Sequence, residues 1–194
     1  MEGTTTTYRP ALKAVEAAAE KLKGIASVTP LIKNMRYSKH FGANIYFKRE
    51  DLQEVRSYKI RGAYNKISSL NTSQIENEIV CASAGNHAQG VAYSCYKENI
   101  KGVIFMPTPT PKQKIEQVKM FGGEFIEIVL TGDTFDDAYN KSITFCEKNK
   151  MCFIPPFDDM KVIEGQATVG LELLEQSSEP IDYIFLPVGG GGLI

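Results

Sequence analysis

Ser57-Tyr58-Lys59-Ile60-Arg61-Gly62-Ala63 boxes a lysine between small, hydroxylic and cationic residues. A free lysine amine has a pKa near about 10.4, so an ordinary surface lysine is a poor nucleophile at neutral pH. Burial and a neighbouring cation both lower that value and favour condensation with an aldehyde, and Arg61 is the expected cation. The same residues also read as the opening of an amphipathic helix (Ile60, Ala63, Tyr64, Ile67) with Lys59 snorkelling at its N-terminal end.

Two further stretches have chemical potential. In Ser83-Ala84-Gly85-Asn86-His87-Ala88-Gln89-Gly90 a strand gives way to a helix through small residues. A helix N-terminus presents unpaired N–H groups and the positive end of a dipole, which suits a carboxylate or phosphate. Ser83 adds a hydroxyl, and Asn86 offers a donor and an acceptor at one point. A plain asparagine cap on a tight turn fits the same spacing. His87, with no metal partner or triad around it, reads as structural. The segment lacks the Lys-Ser/Thr of a P-loop, and no G-x-G-x-x-G occurs. The third stretch, Gly189-Gly190-Gly191-Gly192-Leu193, follows an apolar run ending at Val188. Successive glycines let backbone N–H groups converge on a phosphate. A flexible linker would seldom follow a buried strand and resume with Leu193-Ile194, so the phosphate reading is preferred.

The elements that must position these residues are strands alternating with helices. Helices are expected over residues 11–23, 59–70, 86–98, 111–121, 131–149 and 161–176, the first closed by Gly24 and the fourth opened by Pro111. Strands are expected after Thr29-Pro30-Leu31 and over 44–48, 79–83, 102–106, 124–129, 152–154 and 183–188. Gly102-Val103-Ile104-Phe105-Met106 is a continuous apolar run, as a parallel strand covered on both faces requires. The class is α/β: a mostly parallel open sheet with helices on both faces. Each of the three chemical stretches falls at the C-terminal end of a strand, where such sheets bind ligands.

Bulk properties narrow the partner. With 194 residues, a net charge of -1, 43% hydrophobic and 23% charged residues, the chain can bury a core and carries no disorder signature. A near-neutral balance without a basic stripe argues against nucleic acid and anionic membranes, and no apolar run approaches the length of a membrane span. The start, Met1-Glu2-Gly3 before Thr4 to Thr7, lacks the basic and apolar regions of a leader, so a cytoplasmic location is expected. Cys81, Cys95, Cys146 and Cys152 form no C-x-x-C pair and His40 stands far from His87, which argues against zinc and a disulfide scaffold.

Taken together and in this order, Ser57-x-Lys59-x-Arg61-Gly62-Ala63, Ser83 to His87 and Gly189 to Leu193 resemble the signatures of fold type II pyridoxal-phosphate enzymes. Phe47-Lys48-Arg49-Glu50-Asp51-Leu52-Gln53, Arg56 and Leu130-Thr131-Gly132-Asp133 are most similar to the biosynthetic threonine dehydratases (threonine deaminases). The resemblance implies that Lys59 carries pyridoxal 5'-phosphate covalently and takes the substrate Cα proton. It implies that Asn86 bonds the ring's phenolic oxygen, that Gly189, Gly190, Gly191, Gly192 and Leu193 hold the phosphate, and that Ser83, Ala84, Gly85, Asn86 and His87 grip the carboxylate of an amino-acid substrate. The reaction implied is L-threonine to 2-oxobutanoate and ammonia, the entry to isoleucine, with L-serine as a further substrate. Residues 1–75 and 156–194 are then parts of a larger cofactor-binding domain and 76–155 a smaller inserted α/β domain, in a homo-oligomer when full-length.

The alternatives are a serine racemase or serine dehydratase, and an inactive fragment that works only with a partner chain. Serine racemases resemble the same asparagine motif with a second serine where this chain has Ala84, which has no proton to give, so elimination is preferred. Cysteine synthases share the fold but differ at the asparagine motif. Two departures stand out: Ala167 replaces the glycine usual after Gly165-Gln166, and the chain ends at Ile194, short of the hydroxyl residue expected at the pyridine nitrogen and of any regulatory domain. A truncated or split enzyme is the expectation.

Overall fold

A computed structural model describes residues 8–194, so the N-terminal threonine run lies outside the described residues. The chain opens with α1 (Leu12–Leu22), which buries Val15, Ala18 and Leu22 along one stripe against α8 (Met160–Gln176). β1 (Leu31–Lys33) then pairs antiparallel with β2 (Tyr46–Lys48), the Ile32–Phe47 pair at the centre. Between them runs α2 (Met35–Phe41), which the sequence reading did not anticipate. It is capped by Asn34, whose side chain accepts from the Tyr37 N–H at 2.9 Å, and it buries none of its residues, so it carries no apolar stripe to read. The expected helix over 59–70 is divided. α3 (Lys59–Ile67) stops short, and α4 (Thr72–Glu76) restarts the helix behind a capping box made by Asn71 and Gln74.

The parallel sheet is built from β3 (Ile79–Ala82), β4 (Gly102–Met106), β5 (Ile126–Leu130) and β6 (Cys152–Phe153), in the order β5-β4-β3-β6. Side chains alternate across it. Ile79, Cys81, Ile104 and Met106 pack with Ala88, Val91, Ala92 and Cys95 of α5 (Asn86–Glu98) and Val118 of α6 (Lys112–Gly122). Val80, Ala82, Val103 and Phe105 pack on the other face with Ala138 and Cys146 of α7 (Phe135–Asn149). Helices on both faces explain why β3 and β4 are apolar at every position. The chain steps outward through β3, β4 and β5 and then returns to lay β6 on the free side of β3. The order therefore reverses between β3 and β6, and the crevice beyond their carboxyl ends is where an open α/β sheet takes a ligand.

One expected element is absent. Residues 183–188 form no ladder with any described residue, and Tyr183 and Phe185 are 81% and 91% exposed. Apolar alternation predicts a strand's composition, but a strand also needs a neighbouring backbone to receive its N–H and C=O groups. None of the described segments supplies one.

α3 lies between α5 and α8 and approaches α8 closely. A Cβ placed on Gly165 would sit 2.5 Å from the Arg61 carbonyl oxygen and 2.7 Å from the Gly62 Cα. Both obstacles are backbone, so they cannot rotate away. Gly165→Ala is therefore expected to destabilise the fold by about 1–3 kcal/mol, despite alanine's better helix propensity. A denaturant midpoint equal to wild type would show that the helices can part freely. The close backbone approach falls at Gly165, and Ala167, which stands where a glycine is usual, is half-buried.

Candidate active site

Lys59 is the first residue of α3. The loop before it contains Arg56 in the left-handed region at φ 58°, an uncommon backbone state for a side chain of that size, and Ser57, whose buried hydroxyl has no hydrogen-bond partner. The Lys59 amine donates to the Pro156 carbonyl at 2.5 Å and lies 5.5 Å from the centre of the Tyr58 ring. Its pKa is lowered, and the cause is burial. The expectation that Arg61 supplies a cation for this purpose is corrected. The Arg61 guanidinium is turned into a separate buried cluster, where Nη2 donates to Glu50 at 2.8 Å and Nη1 to Glu172 at 2.6 Å. Two residues correspond to about 200° around a helix, so Lys59 and Arg61 leave α3 on nearly opposite sides.

The second stretch lies beyond β3. Ser83, Ala84 and Gly85 are half-buried, and the Ser83 hydroxyl accepts from the Gly85 N–H at 3.2 Å. Gly85, not Asn86, occupies the cap of α5, and no side chain closes this helix end. By contrast Thr134 and Asp137 box the start of α7, and Asp159 accepts from two N–H groups of α8. The first N–H groups of α5 are thus left for another acceptor. Asn86 is exposed on that first turn. His87 is buried with its ring facing the Ile154 carbonyl at 3.0 Å, so only its backbone remains for a carboxylate in the crevice. α5 is seated directly on the lysine, since a Cβ on Gly90 would lie 3.0 Å from the Lys59 carbonyl oxygen.

The glycine stretch forms a turn in which Gly191 takes φ 78° and the Ile194 N–H reaches back to the Gly191 carbonyl at 3.2 Å. Gly189, Gly190 and Gly191 are exposed, while Gly192 and Leu193 are half-buried. A Cβ on Gly192 would sit 3.3 Å from the Lys59 amine and 2.9 Å from the Phe157 Cβ; one on Gly190 would meet the Phe157 ring at 2.6 Å. Lys59, Gly192 and the Pro156–Phe157 segment are therefore brought together, with the first turn of α5 against the lysine backbone. Pro156, Phe157 and Gly90 were not anticipated. A glycine inside the helical pattern of 86–98, costing about 1 kcal/mol relative to alanine, was the one signal that could have found Gly90. A carbonyl acceptor such as Pro156 leaves no mark on residue type.

These residues fit pyridoxal phosphate on the structure's own terms. A half-buried amine of lowered pKa can condense with an aldehyde, a glycine that could carry no side chain without crowding that amine leaves room beside it, and an uncapped helix end waits for an anion. The arrangement defines a class: a parallel α/β chain that presents a half-buried lysine of lowered pKa to a glycine turn at the switch point of its sheet. The sequence model of the pyridoxal-phosphate dependent enzyme family matches residues 22–194, and the chain belongs to that family, with the type II fold.

Two curated relatives, each named L-threonine dehydratase biosynthetic IlvA, come from Halalkalibacterium halodurans and Bacillus subtilis. They are 54% and 51% identical to this chain over 177 and 183 residues, covering 91% and 94% of it but 43% of each relative. The chain thus spans less than half the length of these relatives. Among solved structures, threonine deaminase isoform 2 from Solanum lycopersicum is 42% identical with a TM-score of 0.86, over 93% of this chain and 49% of that one. Maize serine racemase is 33% identical with a TM-score of 0.89, over 96% and 55%. Among the described residues no helix is long and apolar enough to cross a membrane.

Proposed function

We propose that this chain serves a pyridoxal-phosphate dependent threonine ammonia-lyase, which converts L-threonine to 2-oxobutanoate and ammonia. The observation that carries the reading is the contact of Lys59 with the glycine turn: at Gly192 a side chain would begin 3.3 Å from the amine. The relatives named for threonine dehydration support the substrate, as does the higher identity to the deaminase structure than to the racemase.

Pyridoxal phosphate, when bound, supplies the aldehyde that captures an amino group and a ring that accepts the electron pair left at Cα. The chain's own residues do the rest. Lys59 Nζ would anchor the cofactor and is the base that would take the Cα proton; burial keeps more of the amine uncharged at neutral pH than in an ordinary lysine. The N–H groups of Gly189 to Gly192 and Leu193 hold the phosphate. Asn86 would orient the ring, and within the Ser83–His87 turn the N–H groups of Ala84, Asn86 and His87 would take the substrate carboxylate, because the Ser83 N–H donates to the Phe105 carbonyl at 3.0 Å and the Gly85 N–H to the Ser83 hydroxyl at 3.2 Å. Ala84 offers no proton to the opposite face, which favours loss of the hydroxyl over inversion. In this reading residues 76–155 are the smaller domain, consistent with a parallel sheet lying wholly between Ile79 and Phe153, and 1–75 with 156–194 belong to the larger one. The full-length enzyme is a cytoplasmic homo-oligomer.

Purified protein given pyridoxal phosphate and L-threonine is expected to release 2-oxobutanoate and ammonia in equal amounts. Conversion of L-serine to D-serine without either product would overturn the lyase reading in favour of a racemase.

A further inference from the structure

His87 is 4% exposed, on the first turn of α5, and its Nε2 lies 3.0 Å from the Ile154 carbonyl. A carbonyl oxygen only accepts, so Nε2 carries the proton and Nδ1 of the neutral ring is bare. Nδ1 is indeed buried without a hydrogen-bond partner. Burial pushes the pKa down to about 4, so the ring stays neutral near pH 7. The donor is therefore fixed.

What it holds matters more than the bond itself. Ile154 is followed by Pro155 and Pro156, the latter the acceptor for the Lys59 amine at 2.5 Å, and then by Phe157, which lies against Gly190 and Gly192. Neither proline has an N–H, and each has its φ fixed by the ring. The diproline therefore cannot be tied through its own nitrogens, and with both φ angles fixed it has fewer torsions with which to absorb a displacement at Ile154. The Ile154 N–H is bonded to the Val80 carbonyl at 2.8 Å, and His87 supplies the matching tie on the Ile154 carbonyl. The same helix turn seats Gly90 on the Lys59 carbonyl. Lysine backbone and lysine acceptor are thus referenced to one piece of α5.

We infer that His87 is a positioning residue for Lys59: as a neutral N–H donor it pins the segment from Ile154 to Phe157, which holds the lysine amine at the Pro156 carbonyl beside the glycine turn. The inference rests on the reading of Lys59 as the reactive amine for its purpose, but its test needs no cofactor, so the two can fail separately.

The experiment follows Lys59 in the full chain. Its acylation by acetic anhydride is measured by peptide mapping on the alkaline plateau, where the amine is uncharged and the rate reports access, with exposed Lys112 as internal reference. His87→Leu is expected to raise the Lys59 rate about tenfold, the equilibrium worth of one buried hydrogen bond. His87→Gln, which keeps an N–H donor, should remain within about twofold of wild type, and so should Ile104→Val, a core change in β4 matched for lost stability. A Lys59 rate in folded His87→Leu equal to that of wild type would overturn the inference, as would His87→Gln behaving like His87→Leu. Should His87→Leu not fold, nitrogen-15 spectra of the wild-type imidazole decide: a neutral ring protonated on Nε2 supports the pin, and a proton on Nδ1 removes it.

Discussion

Lys59→Ala is expected to abolish the visible absorption of lysine-bound pyridoxal phosphate, leave no lysine labelled by borohydride reduction, and lower threonine turnover by at least about 10³-fold. The effect should be chemical, with the fold intact. The Lys59 side chain is half-buried with one hydrogen bond to Pro156, and alanine is the best helix former for a position that opens α3. Neighbouring amines are poorly placed to substitute. Lys48 donates to Glu172 and to the Thr29 carbonyl within a buried cluster, and Lys66 is paired with Asp159 at 2.6 Å. Arginine at position 59 would keep the charge but cannot condense with an aldehyde, so Lys59→Arg should be as inactive as Lys59→Ala. Circular dichroism and the denaturant midpoint of both variants check that the loss is local. A reducible adduct that persists in Lys59→Ala would place the cofactor elsewhere.

How much of this was legible depended on whether residue type or spatial partnership carried the signal. α5 and β4 were read with the boundaries the structure has, because β4 is buried on both faces and α5 starts where a run of small residues ends. β5 starts later than expected, since Gly123–Phe125 form a short 3-10 turn before it. α2 escaped because it buries nothing, and residues 183–188 misled because apolar composition says nothing about a partner strand. Lys59 was singled out from its small and hydroxylic neighbours, with burial and a neighbouring cation expected to lower its pKa, and of these two causes only burial acts. Proximity in sequence suggested Arg61, whereas helical geometry sends the two side chains apart and leaves burial to lower the amine's pKa. The Pro156 carbonyl and the tie from His87 to Ile154 lie about 100 and 70 residues from their partners, respectively, and the acceptor in each is backbone, which no motif records.

The Arg61 cluster carries the largest expected effect on stability. Arg61 is 1% exposed and ties three segments together: the 3-10 turn at Glu50–Leu52, its own helix α3, and α8. Its Nε and Nη2 donate to Glu50 at 2.9 and 2.8 Å, and Nη1 donates to Glu172 at 2.6 Å and to the Thr168 hydroxyl at 3.1 Å. Burial works against the charged guanidinium, yet its bonds to Glu50 and Glu172 more than offset that, and its pKa is raised. Lys48, bonded to Glu172, brings the cluster to two cations and two carboxylates. Arg61→Met keeps much of the volume but leaves two buried carboxylates facing one ammonium. The expected cost is about 3–5 kcal/mol, most of it from the uncompensated charge and not from the worth of the pair itself. That distinction makes the prediction specific. Arg61→Lys should recover little, because one ammonium cannot donate in a fork to Glu50 while reaching Glu172. Arg61→Met combined with Glu50→Gln should recover part of the loss, since the orphaned carboxylate is then neutral. The readout is the urea midpoint at an unchanged slope. If the double variant were as unstable as the sum of its two parts, charge would not be what the cluster balances, and packing between α3 and α8 at Gly62 and Gly165 would have to bear the cost.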